Sequence, residues 1–139
     1  MKEEQLFIGA WVYNAHHKKN IQITPYDFFT HRHDENGVQH LKHHSIPRTG
    51  NDLYPIPITP EILEKNGFSR IDIEGNIKQS ETGGFYVWYE IDSNILGIEK
   101  DTSTYAGESS ETLMKLRIFN VHELQAAMRL CGIDKEIVL

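Results

Sequence analysis

Phe85-Tyr86-Val87-Trp88-Tyr89-Glu90-Ile91 is the strongest strand candidate in this chain of 139 residues. Its β-branched and aromatic side chains suit a pleated, half-buried surface. Alternation puts Phe85, Val87, Tyr89 and Ile91 on one face and Tyr86, Trp88 and Glu90 on the other. Turn residues bound it: Thr82-Gly83-Gly84 before, Asp92-Ser93-Asn94 after. Neighbouring strands are expected at Ile71–Ile73 and Ile77, separated by a turn at 74–76, and at Ile95-Leu96-Gly97-Ile98. Leu113-Met114-Lys115-Leu116-Arg117-Ile118-Phe119 reads as a further strand, and the Asp-, Thr-, Ser- and Glu-rich residues 101–112 read as an exposed loop.

Two helices flank this sheet. Thr59 can cap the first, Pro60 fits its first position and Glu61 favours its positive end. Ile58 and Leu63 have the spacing of a hydrophobic staple, and Gly67 is placed to close the helix in the left-handed conformation. The expected span is 60–66. Asn120 with Glu123 forms a capping-box pattern for the second helix. There Val121, Leu124, Met128 and Cys131 fall on one stripe before Gly132.

At the start, Leu6–Tyr13 reads as a strand, residues 14–20 as a polar hairpin tip and Ile21-Gln22-Ile23 as the return strand. From Thr24 to Leu53 the pattern dissolves, with room for a short strand near Val38–Leu41 or for a functional loop. The whole reads as a single domain, 1–139. Its expected class is α+β: a bent antiparallel sheet, with a small barrel as its closed form, plus one short helix and a C-terminal helix.

Composition narrows the function classes. Hydrophobic residues make up 39% and charged residues 24%, an ordinary globular balance. The lone Cys131 excludes a disulfide framework and multi-cysteine metal sites. No stretch reaches the ~18 apolar residues of a membrane span, and the first residues lack a signal-peptide core, so a soluble cytoplasmic protein is expected. The net charge of −6 argues against duplex DNA as a partner. The charge is uneven: residues 1–50 carry six Lys/Arg, five Asp/Glu and seven of the eight histidines, whereas 51–139 carry eight against fifteen.

Two blocks, Pro55-Ile56-Pro57-Ile58-Thr59-Pro60-Glu61-Ile62-Leu63-Glu64-Lys65-Asn66-Gly67-Phe68 and Val121-His122-Glu123-Leu124-Gln125 through Leu130-Cys131-Gly132-Ile133, carry a resemblance. They resemble small proteins of Bacteroidetes phages and integrated mobile elements, and the opening hairpin fits those proteins more loosely. With the hairpin residues 8–13 and 21–23, the matched blocks cover about a quarter of the chain. What the resemblance implies is origin rather than an activity; genes of that origin often serve host takeover or evasion of host defence.

The residues that could carry chemistry gather in 24–53, so a functional surface is expected there rather than in the acidic loop 101–112. His31, Arg32 and His33 precede His40, Lys42, His43 and His44, and alternate residues of a strand point the same way. The spacing matches no closed zinc motif. Arg32, Lys42 and Arg48 with Tyr26, Phe28 and Phe29 supply cations for phosphate and π-faces for a base. His122-Glu123-Leu124-Gln125-Ala126 begins like a zincin helix but has Ala126 where the second ligand belongs. No Walker loop, dinucleotide fingerprint or nucleophile elbow is present.

The expectation is therefore a non-enzymatic binding module without metal or cofactor. It would sequester a nucleotide-like signal or bind a host protein through Tyr26, His31, Arg32, His33, Lys42 and Arg48, with no membrane partner and with assembly into a homo-oligomer as a further expectation. The alternative is a small metal-dependent hydrolase using the histidines with Asp34 or Glu35.

Overall fold

The structure is a computed structural model that describes residues 6–24, 30–33, 39–42 and 53–139, with backbone alone for 30–33 and 39–42. The chain separates into two compact units, Met1–Ile56 and Pro57–Leu139.

In the first unit, β1 (Trp11–Asn14) pairs antiparallel with β2 (Lys19–Gln22) and with β5 (Leu53–Pro55), in the order β2-β1-β5. The expected first strand begins later than its composition suggests. Gly9 sits at φ +90° and Ala10 donates to the Phe7 carbonyl, so residues 7–10 turn before the sheet starts. Leu6, Ala10, Val12, Ile23 and Leu53 are buried together, with Phe7 and Ile21 packed against them. Within 24–53, β3 (Thr30–His33) and β4 (Gln39–Lys42) form an antiparallel pair; the second matches the strand expected near 38–41.

The second unit holds α1 (Pro60–Lys65), β6 (Ser69–Arg70), β7 (Ile77–Thr82), β8 (Phe85–Glu90), β9 (Ile95–Asp101), β10 (Ser110–Arg117) and α2 (Val121–Leu130). Its five strands run antiparallel in the order β10-β9-β8-β7-β6. Gly83 and Gly84, both at positive φ, make the tight turn whose twist suits a two-residue hairpin between β7 and β8. Thr59 accepts the Ile62 N–H at the start of α1; at its end Phe68 donates to the Leu63 carbonyl across Gly67, which lies at φ +85°. Glu123 closes the start of α2 by accepting the Asn120 and Phe119 N–H groups.

Val87, Tyr89, Leu96 and Ile98 fill the buried face of this sheet. The Tyr89 hydroxyl donates to the Ile118 carbonyl at 3.0 Å and lies 2.9 Å from Asn94 Oδ1, while burial pushes its ionisation upward. Lys78 on the same face meets Glu64 of α1 at 2.8 Å. The C-terminal tail is tied by Asn66, whose side-chain amide both donates to the Val138 carbonyl and accepts its N–H, each at 2.8 Å. Val121, Leu124 and Met128 of α2 are buried as the stripe required, but Cys131 is only half-buried, its thiol pushed upward by partial burial.

The α+β class and the antiparallel strands stand. The barrel form does not: neither sheet closes, and the five-stranded one ends on β6 and β10. Physical features of both edges oppose further pairing. β6 is two residues long, and β10 carries a bulge between Thr112 and Met114 with Lys115 beyond it. Ile71 and Ile73, expected in a strand, are 55% and 93% exposed in a turn. Asp72 holds that turn by accepting the Asn76 and Ile77 N–H groups. No helix among the described residues is long and apolar enough to cross a membrane.

Candidate functional site

Trp88 and Tyr86 project from β8 on the face opposite the core, as the alternation requires. Trp88 stands directly across from Gly97 of β9, and a Cβ at Gly97 would overlap the indole ring. Glycine is therefore what lets the ring lie over the neighbouring strand. The indole N–H donates to Glu99 Oε2 at 3.1 Å, and Lys115 Nζ sits 5.9 Å from the ring centroid, within cation–π range. The other Glu99 oxygen accepts from the Ser110 hydroxyl at 3.1 Å.

Beside this ring lies a groove of about 530 Å³. Gln79, Tyr86, Glu99 and Asp101 of β7, β8 and β9 form its floor; Ser103, Glu108, Ser109 and Ser110 form its wall. The wall belongs to the β9–β10 hairpin, which the sequence presents as a plain loop. It is held by mutual backbone bonds of Thr104 and Gly107, by the Thr102 and Ser109 hydroxyls 2.6 Å apart, and by Ser103 Oγ accepting the Ser109 N–H. The alternation that sends Tyr86 outward is legible; the folding of 101–110 depends on bonds across the hairpin, Thr102 to Ser109 and Thr104 to Gly107, which local composition does not encode.

Two titratable groups of the groove are shifted, both away from neutrality. The Ser103 side chain and backbone N–H hold Asp101 below the usual carboxylate range. The Asp101 charge, followed by that of Glu81, raises the Tyr86 phenol above its ordinary value. At neutral pH the carboxylate stays ionised and the phenol stays protonated. A general acid or base works best with a pKa near the working pH, so these groups suit recognition better than proton transfer. Three carboxylates and several hydroxyl oxygens favour a ligand rich in positive charge and donors.

The residues singled out from the sequence lie elsewhere. His31, Arg32 and His33 are on β3 and Lys42 is on β4; Arg32 pairs in register with His40, His31 with Leu41, His33 with Gln39 and Lys42 with Thr30. The backbone thus brings Arg32 and Lys42 onto one hairpin. Tyr26 and Arg48, with Asp34 and Glu35 of the hydrolase alternative, lie outside the described residues. Among the described residues no three His, Cys, Asp or Glu side chains gather closely enough to hold a metal. His122 is buried inside α2, its imidazole held below the usual range by desolvation and its Nδ1 without a hydrogen-bond partner.

Comparison with known proteins yields no match: no family model fits the chain, and neither a curated protein nor a solved structure is detectably similar.

Proposed function

We propose that this chain is a non-enzymatic binding module of the kind that phages and mobile elements use against host defence. In this reading it holds a positively charged group of a host protein in the groove above β8 and β9. The observation that carries it is the lining of the groove: Glu99, Asp101 and Glu108 converge on it beside the Tyr86 phenol, in a frame already braced by the hairpin's own hydrogen bonds. Such bracing lowers the ordering cost of binding. The resemblance of the 55–68 and 121–133 blocks supports the phage or mobile-element origin.

Calorimetric titration with a short oligo-arginine peptide tests this reading. Asp101→Asn combined with Glu108→Gln should weaken the peptide several-fold more than Asp134→Asn combined with Glu136→Gln, which removes the same charge outside the groove. Equal losses from both pairs would mean the peptide senses only net charge, and the groove reading would fall. Metal-dependent cleavage of a phosphodiester by protein purified without a His-tag would instead favour the histidine-based hydrolase.

A further inference from the structure

The sheet of the first unit turns tyrosines outward with no core reason to be there. Tyr13 of β1 and Tyr54 of β5 are direct cross-strand partners, 37% and 51% exposed, while the alternating neighbours Val12 and Leu53 are buried. Direct partners in an antiparallel pair have Cβ atoms roughly 5 Å apart, so the two rings stand side by side on one face. Trp11, half-buried, is two residues from Tyr13 along β1 and shares that face.

Cations stand at the end of the same strand. Asn14 lies in the buried row, and its side-chain oxygen accepts the His16 and His17 N–H groups at 3.0 and 3.1 Å, fixing the β1–β2 turn. Lys18 adopts φ +53° in that turn, and His16, His17, Lys18 and Lys19 are all exposed. The two imidazoles meet edge to face, 4.9 Å apart. At about 3.3 Å per residue, the turn begins roughly 7 Å from Tyr13. Residues 1–56 balance six Lys/Arg with six Asp/Glu, Asp52 among them, so the positive charge beside this face is local to the turn.

We infer that this face binds single-stranded nucleic acid, with bases stacked on Tyr13 and Tyr54 and phosphate drawn to Lys18 at the hairpin tip; Lys19, paired with Asn14 of the buried row, belongs to the other side of the sheet. Every base has a π-face, so stacking on aromatic side chains does not depend on sequence. A duplex hides those faces in its own stack, and a chain of net charge −6 with one lysine beside this face cannot hold one by phosphate contacts alone. The inference is independent of the acidic groove, which belongs to the other unit and suits ligands of opposite charge.

Fluorescence anisotropy of a labelled oligo-dT strand about twelve nucleotides long, with an unlabelled duplex of equal length as competitor, provides the test. Tyr13→Ala and Tyr54→Ala should each weaken the strand by about five- to a hundredfold, the range expected for losing one stacked base. Tyr13→Phe and Tyr54→Phe, which keep the rings, should bind like the parent. Lys18→Asn should flatten the log–log salt dependence by about 0.7, as expected for one lost phosphate contact on a single strand, whereas Lys19→Gln on the other side of the sheet should change it less; Asn also tolerates the left-handed backbone at 18. The inference is overturned if the parent protein does not bind the strand, if the duplex competes equally, or if alanine variants with unchanged circular dichroism bind as well as the phenylalanine ones.

Discussion

Two sheet faces of this protein carry outward aromatic side chains, and they differ in what surrounds them. On β8, Trp88 is engaged by Glu99, Lys115 and the bare backbone of Gly97, and Tyr86 lies 3.4 Å from Asp101. Residues 57–139 around them hold fourteen Asp/Glu against eight Lys/Arg. On β1 and β5, Tyr13 and Tyr54 stand beside each other with a lysine- and histidine-bearing turn at the strand end. The difference teaches that aromatic content alone does not identify a ligand. What separates the two faces is the charged side chains set beside the rings, Glu99 and Asp101 on the second unit and Lys18 of the β1–β2 turn on the first.

The largest expected effects test the undersides of the two faces. Leu53→Ala beneath the first sheet and Leu124→Ala in the core of the second should each cost about 2–5 kcal/mol, read as a lowered urea midpoint. A near-neutral midpoint for either would mean that its face is not held by the packing described. Next comes Gly97→Ala, which must displace the Trp88 ring and should cost about 1–3 kcal/mol with a changed tryptophan emission. Gly107→Ala, where a Cβ meets nothing within 4 Å, is its control and should be close to neutral. Equal results for the two glycines would remove the distinction between an engaged and an open aromatic face.

Gly67→Ala should cost about 1 kcal/mol, because the αL closure of α1 at φ +85° strains any residue with a Cβ. It acts only on the second unit, so the oligo-dT affinity of protein that remains folded should not change. The smallest effect is a pH dependence confined to that unit. Desolvation holds His122 below the ordinary imidazole range, so the unfolded chain takes up the proton first as pH falls. The contribution is fully present above pH ~6.5 and is lost as pH drops towards the folded-state pKa. Urea midpoints at pH 7.5 and 5.5 should therefore fall further for the parent than for His122→Leu; equal falls would contradict this assignment.

The parts of the fold visible in the sequence are those fixed by neighbours along the chain. Thr59, Pro60 and Gly67 mark both ends of α1, and the Gly83-Gly84 turn with the alternation of Phe85–Glu90 marks the central hairpin. Elements fixed by distant partners were harder to read. Ser69–Arg70 has little strand character and becomes β6 because β7 supplies its ladder, whereas the apolar Ile71 and Ile73 are pulled into a turn by Asp72. Gly9 ends the apparent first strand through its positive φ. The groove wall at 101–110 is hidden because its polar residues are ordered by one another across the hairpin. Of the site residues that the sequence suggests, Arg32 and Lys42 fall on the β3–β4 pair, while Tyr13 and Tyr54 are obscured because forty residues separate partners that become adjacent only in the sheet.

The most direct measurement of the contrast between the two faces is a two-dimensional ¹H–¹⁵N NMR titration of the parent protein with the oligo-dT strand. Two tryptophans report on the two faces, Trp11 beside Tyr13 and Trp88 beside Tyr86. The account predicts that the Trp11 indole signal and the amides of Trp11–Asn14, Lys19–Gln22 and Leu53–Tyr54 shift with added strand, while the Trp88 indole signal stays in place. Shifts centred on Trp88, or no shifts at Trp11 and Tyr54 when the strand is bound, would contradict it.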